Sequence, residues 1–258
     1  MKIMYIDCGM GCAGDMLMAA LLELRPDKAA FLERIHAALA GKAEIRTESV
    51  EKCGIKCTSA RVITSCGEEA HHDGTHAHHD HGHVHHHGHS HASVKDIMAF
   101  IDSVQLEERV KEHAREVYKL LAQAEGSVHG KDMDNIHFHE VGSLDALADV
   151  LSVCALVCEL APERIIASPV NVGSGTVKCA HGVLHVPAPA TELLLRGVPI
   201  YSGDVKAELC TPTGAALLKH FVDDYGRMPL MRVRDVGYGA GTKDFETANV
   251  VRVLVGEA

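Results

Sequence analysis

Residues 71–91 read HHDGTHAHHDHGHVHHHGHSH, with twelve histidines in twenty-one positions. Such a run has no apolar face to bury, so it cannot join a packed core. It therefore divides the chain into what can fold before it and what can fold after it. Purification tags sit at chain ends and are uninterrupted. This run is internal and is broken by Asp73, Asp80 and Ser90 and by Gly74, Gly82, Val84 and Gly88, which marks it as part of the natural chain. The reading is an N-terminal α/β lobe over residues 1–66, a flexible His-rich insert over 67–92, and a main α/β lobe over 93–258. The two lobes are expected to pack as one domain.

The 258 residues give ample mass for a core, and 47% hydrophobic with 23% charged residues is the balance of a soluble globular protein. Aromatics are only 4% and Trp is absent, which argues against stacking platforms for single-stranded nucleic acid. A net charge of −10 argues against any phosphate-backbone binder and favours cations as partners. No stretch approaches the roughly 18 apolar residues of a membrane span. The opening MKIMYIDCGMGCAGDM meets Asp7 before a signal-peptide apolar run develops, so a cytoplasmic protein is expected. Nine cysteines, an odd number without a dense framework, read as reduced thiols. Cys8/Cys12, Cys53/Cys57 and Cys154/Cys158 share C-x3-C spacing, which is not the C-x2-C of a zinc ribbon. Cys154 and Cys158 lie one helical turn apart on an apolar face and read as core.

KIMYID reads as a buried strand. DMLMAALLEL and DKAAFLERIHAAL read as helices, the second with Phe31, Ile35 and Leu39 on one face. AEIRTESVEKCGIKCTSARVIT reads as two strands turning near Cys53-Gly54. After the insert, Ser93 and Asp96 form a capping-box-like start. Val94, Ile97, Met98 and Ile101 then follow helical spacing. A longer helix is expected from about Leu106 to Ala124, stopping at Gly126. Another follows Gly142-Ser143, carries Leu144, Leu147, Leu151 and Cys154 inward, and ends before Pro162. The remainder alternates short strands (RIIAS, GTVKC, MRVRDVGYG, NVVRVLVG) with brief helices (APATELLLRG, PTGAALLKHF). The pattern is α/β, in a mixed α+β arrangement.

Gly9, Gly11 and Gly14 spell G-x-G-x-x-G between a strand and a helix, the spacing of a dinucleotide fingerprint. The context fails, because a second helix follows where a strand ending in an acid is required. Asp15 at the helix start would also repel a pyrophosphate. A tight glycine turn displaying Asp7 and Asp15 is the better reading, as metal or substrate contacts or as plain capping groups. In NIHFHEVGSLDALADV, residues 135–150, extended backbone puts His137 and His139 on one side. Asp145 and Asp149 lie i, i+4 on the following helix and share a face. A strand-borne His pair facing a helix-borne Asp pair makes a mixed N/O metal site, with His129 as a further candidate. The alternative is a solvated Asp face and a core histidine.

Gly173-Ser174-Gly175 resembles an anion-cradling turn. His181 sits in a loop between two strands, a place for an acid/base group. Pro187 and Pro189 keep VPAPAT extended until about Thr191. Thr211-Pro212-Thr213-Gly214 opens a helix whose N–H groups suit a phosphate or carboxylate. VGYGAGTKDF reads as a glycine-rich turn offering Lys243 to an anion.

In this order GDMLMAALLEL, IHFHEVGSLD, GSGTVKCAHG, VPAPAT, ELCTPTGAALL and GYGAGTKD resemble the nickel-insertion proteins of nickel-pincer cofactor synthesis, the LarC family. The resemblance covers about residues 1–256, and a His-rich insert before an S-x-x-D-I helix also fits it. It implies installation of nickel into a pyridinium mononucleotide bearing two thiocarboxylates, the precursor of the cofactor of lactate racemase. It implies a cyclometallase of the lyase class that depends on CTP with Mn or Mg. Full-length members hold CTP in a further C-terminal domain. The expectation is that this chain supplies the nickel- and substrate-binding portion. CTP would come through that domain or its split-gene product. A homo-oligomer stays open.

Under this resemblance, His137, His139, Glu140 and His181 are candidate bases for the ring proton lost on metalation. His137, His139, Asp145, Asp149, Asp7 and Asp15 are candidate metal ligands in the core. His78, His79, His85, His86 and His87 are candidates in the run. Gly173, Ser174, Gly175, Thr211, Thr213 and Lys243 are candidate contacts to the phosphorylated substrate. A tethered run of imidazoles offers many overlapping nickel sites at high local concentration. A nickel store with no chemistry of its own and a metallohydrolase are the rival readings. Deleting 71–91 is expected to lower nickel stoichiometry greatly in equilibrium dialysis while the far-UV circular dichroism stays unchanged. Undiminished uptake would refute the tether.

Overall fold

The computed structural model describes residues 1–64, 92–133, 136–138 and 140–258. His139 and the candidate ligands His78, His79, His85, His86 and His87 lie outside the described residues, as does nearly all of the insert. The N-terminal part runs β1 (Lys2–Asp7), α1 (Gly14–Glu23), α2 (Lys28–Ala38), β2 (Ala43–Lys52) and β3 (Ile55–Thr64). The chain re-enters at β4 (Ala92–Ser93) and continues through α3 (Val94–Ser103), α4 (Glu108–His129), β5 (His137–Phe138) and α5 (Leu144–Leu160). Then come β6 (Arg164–Ala167), β7 (Val170–Asn171), β8 (Thr176–Cys179), β9 (Gly182–His185), α6 (Pro189–Leu194) and β10 (Ile200–Tyr201). The last elements are α7 (Pro212–Phe221), β11 (Asp224–Tyr225), β12 (Arg232–Ala240) and β13 (Val250–Glu257). The fold is α/β, as the sequence implied.

Seven strands form one sheet in the order β11-β6-β1-β13-β12-β3-β2. β1 and β11 both run parallel to β6, whereas β13 is antiparallel to β1 and β12. β1 is central and buried on both faces, with Met4 and Ile6 in the main core and Ile3 and Tyr5 on the other side. One core cluster takes residues from both sides of the insert, from Met4 and Leu21 to Tyr118, Leu151 and Val253.

Helix α1 has no polar face: Met16, Leu17, Met18, Ala19, Ala20, Leu21 and Leu22 are all buried. A helix apolar all round must sit inside, and α1 lies between the sheet and helices α5 and α7. The contact with β12 is made backbone to backbone. A Cβ on Gly239 would stand 1.8 Å from the Met16 carbonyl oxygen. Gly237 and Gly239 thus stand near the end of the strand expected over MRVRDVGYG, where a helix presses close, and of the glycine-rich turn expected over VGYGAGTKDF only the part from Gly241 leaves the strand. The connection to β13 begins only after Ala240.

Two other boundaries differ from expectation for similar reasons. α4 does not stop at Gly126 but runs to His129, with Gly130 as its left-handed cap at φ 61°. Gly126 is buried in the helix because the chain beyond the cap folds back on it, and a Cβ there would meet the Lys131 carbonyl at 2.9 Å. α6 begins at Pro189 rather than after it. Proline is tolerated at a first helical position, where its missing N–H has no partner to lose.

α4 and α7 meet at a histidine pair. His113 Nδ1 and His220 Nε2 are 2.8 Å apart, so one neutral ring donates and the other accepts. Burial, then the neighbouring His113, pushes His220 down to about 4, and burial lowers His113 as well. The neutral forms favour the fold, so this contribution is present above about pH 6.5 and is lost as pH falls towards 4. In urea titrations over that range the wild type should lose stability more steeply than His220→Gln. Equal slopes would show that the pair is not coupled to folding.

Candidate functional site

The ends of β1 and β6 open onto a cluster of loops, the usual place for a ligand in a sheet with parallel strands. The loop after β1 is tied to the strand-like approach to α7. Cys12 N–H donates to Leu209 O at 3.0 Å, and Thr211 N–H donates to Cys12 O at 3.1 Å. Thr211 caps α7, its hydroxyl accepting from Gly214 N–H at 3.2 Å. Gly214 lets the first turn of α7 lie against Cys12 and Ala13, which lead into α1, since a Cβ there would sit 2.1 Å from Cys12 O. The N-termini of α1 and α7 thus meet.

Into this joint comes the side chain of Asp149, from the second turn of α5. A Cβ on Gly14 would stand 2.8 Å from Asp149 Oδ2 and 3.1 Å from the methyl of Thr213. The carboxylate occupies the place where a dinucleotide phosphate would sit, in keeping with rejection of the fingerprint reading. Two helix N-termini favour a negative charge there. Burial opposes it, and the carboxylates of Asp15 and Asp145 add to that opposition. Together they hold the Asp149 carboxyl well above its ordinary range. Oδ1 of Asp149 and Oδ1 of Asp145 are both enclosed and accept no hydrogen bond. Three carboxylates in one hollow require either a proton or a cation. Among the described residues, no three His, Cys, Asp or Glu side chains are placed to hold an ion as they stand. The joint is acidic and largely enclosed, but its carboxylates do not form a closed cage.

The hollow has a floor and a clamp that the sequence reading missed. Cys8, Cys12 and Cys210 are fully buried beneath it. A hydrogen bond with Cys8 and then burial raise the Cys12 thiol, and burial raises that of Cys210, so both stay protonated. Asn171 joins three loops through one amide. Its Oδ1 accepts from Gly173 N–H at 3.0 Å and Gly203 N–H at 3.2 Å, and its Nδ2 donates to Gly9 O at 3.0 Å. Only the C-x3-C spacing of Cys8 and Cys12 hinted at any of this. Asn171 looks like any strand-end polar residue until its partners, far away in sequence, are known.

Asp15, Asp145, Asp149 and Thr213 come together, with Thr211 alongside. The other candidates lie elsewhere. Asp7 Oδ1 accepts from Gly9 N–H at 3.0 Å, and its other oxygen pairs with Arg252. The N–H groups of Gly173 and Ser174 point inward, to Asn171 Oδ1 and Ala207 O, and Gly173 and Gly175 take φ of 83°. Lys243 follows β12, its carbonyl accepting from Lys52 Nζ at 3.3 Å. His137 is exposed on β5, near the Asp96 carboxylate, which the Ser93 hydroxyl and N–H hold low. Glu140 opens a single 3-10 turn, Glu140–Gly142. His181 lies between β8 and β9 with its ring 4.8 Å from that of His129, whose Nε2 is 3.4 Å from the Glu125 carboxylate.

A family model described as nickel insertion protein matches residues 4–258. A pyridinium-3,5-bisthiocarboxylic acid mononucleotide nickel insertion protein of Desulfitobacterium hafniense is 42% identical over 261 positions, covering all of this chain and 59% of the relative. A relative of the same name from Geobacillus kaustophilus is 40% identical, covering all of this chain and 60% of its own length. A putative nickel insertion protein of Dictyoglomus thermophilum is 36% identical over 257 positions, covering 61% of its own length. The chain thus spans about three fifths of the length of the curated relatives it matches. No solved structure matches.

The crowding of carboxylates has a measurable cost. Asp149→Asn should stabilise the metal-free chain by about 1 kcal/mol in urea unfolding at neutral pH, because it removes a carboxyl that ionises freely in the unfolded chain but whose ionisation the fold opposes. The same change should reduce the stabilisation gained on adding a divalent cation. A destabilised variant with an intact cation response would contradict this account of the hollow.

Proposed function

The chain belongs to the nickel insertion protein family, and from that premise we propose that its acidic hollow receives nickel and presents it to a pyridinium-3,5-bisthiocarboxylic acid mononucleotide. One observation carries the proposal: Asp15, Asp145 and Asp149 converge where two helices begin, with two enclosed carboxylate oxygens lacking partners. Oxygen donors alone hold nickel less firmly than thiolates or several imidazoles, which suits an ion that must be released. An incomplete donor set also leaves positions for the sulfur and carbon atoms of the acceptor. The Cys12 and Cys210 thiols below, held protonated, do not compete for the metal.

Forming a nickel–carbon bond displaces a ring proton, and two nickel–sulfur bonds complete the product. His137, His139, Glu140 and His181 are proposed as acceptors of that proton, which would reach them from the hollow through water. The phosphate is proposed to bind at the start of α7 beside Thr211 and Thr213, with the rest of the nucleotide reaching towards Gly173, Ser174, Gly175 and Lys243. His78, His79, His85, His86 and His87 are proposed to gather nickel for delivery. The chain returns from their segment at β4, which pairs with β5 so that Ser93 stands opposite His137. Asp7, engaged by Arg252, is proposed to shape the loop beside the hollow. We further propose that CTP with Mn or Mg acts through the part of the relatives beyond the match, that the reaction is a lyase-class cyclometallation in the cytoplasm, and that the product serves lactate racemase-type enzymes.

The rival is a nickel store without chemistry. The two readings separate in one experiment. Precursor nucleotide, nickel, Mn and CTP are mixed with this chain and the remaining part of the Desulfitobacterium relative, and the product's absorbance is followed. Asp145→Asn with Asp149→Asn should cut product formation at least a hundredfold while leaving most bound nickel in place. A store would show no product with either protein, and product formation indifferent to both changes would sink the hollow as the site.

A further inference from the structure

Among the described residues the most exposed large apolar side chain, Leu230, stands at a corner with three others that are partly exposed, while Val183, Ile200 and Tyr201 are exposed elsewhere. Leu230 is 97% exposed, and Met1, Met228 and Val233 are each between 41% and 51% exposed. They adjoin in space because β12 begins beside the end of β13, with Arg232 opposite Glu257 and Val233 opposite Gly256. The segment over 226–231 packs down onto the second face of the sheet. There Met231 joins Ile3, Tyr5 and Ile166, and the Tyr5 hydroxyl donates to Gly226 O at 3.4 Å. Its outward side is therefore held in place, with Met228 and Leu230 facing solvent. Arg227 and Arg232 flank this side, and among the described residues neither makes an ion pair, although the chain as a whole is acidic. A fully exposed leucine beside two methionines and two unpaired arginines is an unusual surface for a soluble chain.

Both chain ends lie in the same corner. Met1 N donates to Ala258 O at 3.2 Å, and Ala258 N–H donates to Met1 O at 3.2 Å. The Desulfitobacterium relative has about 41% of its length outside the match, on the order of 180 residues, the size of a domain. If that part is joined at either end of the matched region, it emerges within reach of Leu230. We propose that this corner is the docking surface for the further domain found in the relatives, whether joined to this chain or supplied separately. Leu230 and Met228 enter an apolar recess of that domain, and Arg227 and Arg232 meet its carboxylates. Where the two are joined in one chain, the connection makes even a modest patch sufficient, because it fixes a high local concentration. The proposal rests on lengths and surfaces alone and is independent of where nickel binds.

The test compares backbone hydrogen exchange in two proteins: this chain by itself and the whole Desulfitobacterium relative. Amides of the relative's segment matching 226–233 should exchange at least tenfold more slowly than those of this chain. An acidic substitution at the relative's position matching Leu230 should restore fast exchange there while leaving the amides matching β1 and α1 protected. Equal exchange in the two proteins would overturn the proposal. So would a concentration-dependent dimer of this chain, seen by sedimentation and dissolved by Leu230→Asp, since the occupant would then be a second copy.

Discussion

The structure depends on how closely helix α1 can approach its neighbours. A helix with no polar face must be enclosed, and α1 is enclosed by backbone contact as much as by side chains. β12 meets it at Gly239, and α7 meets Cys12 and Ala13 ahead of it at Gly214. These approaches fix the height of α1 against the sheet and against α7. That height sets the meeting point of two helix N-termini. Any side chain at those glycines would push the helices apart and open the joint between them.

Electrostatics then works against packing at that point. Two helix starts attract negative charge, and Asp149 supplies it. Asp15 and Asp145 add like charges that oppose ionisation of Asp149, and an enclosed oxygen of Asp145 and one of Asp149 are left without donors. Natural proteins rarely keep such groups unless they have a use, because an unsatisfied buried acceptor costs free energy that nothing in the fold returns. A divalent cation would reverse the balance by turning three repulsive carboxylates into ligands. This is the physical reason the hollow, and not the imidazole run alone, is taken as the place where nickel meets its acceptor.

Much of this was legible in the sequence, for reasons that are local. The strand KIMYID, the helix of Val94, Ile97 and Ile101, and the Ser93–Asp96 capping box all follow from period and cap, which neighbouring residues decide. Asp145 and Asp149 shared a face because i, i+4 spacing requires it. What failed was non-local. Gly126 looks like a helix breaker, and although Gly237 and Gly239 were read within a strand, only the chain packed against each of the three explains its lack of a side chain. Asp15 joins Asp145 and Asp149 through the packing of α1 on α5, which no pattern along the chain displays. The pairing of His181 with His129 and the three-loop clamp at Asn171 were hidden in the same way.

The proposed division of labour is simple in physical terms: imidazoles collect, carboxylates present, and a glycine-bounded joint holds the two helix starts where the acceptor must come. The most direct measurement is anomalous diffraction at the nickel absorption edge from crystals of the chain grown with one equivalent of nickel and the precursor nucleotide. The account predicts a nickel peak within bonding distance of Asp15, Asp145 or Asp149 oxygens, beside Gly14 and Thr213. Nickel found only among imidazoles, with the three carboxylates unchanged and metal-free, would contradict it.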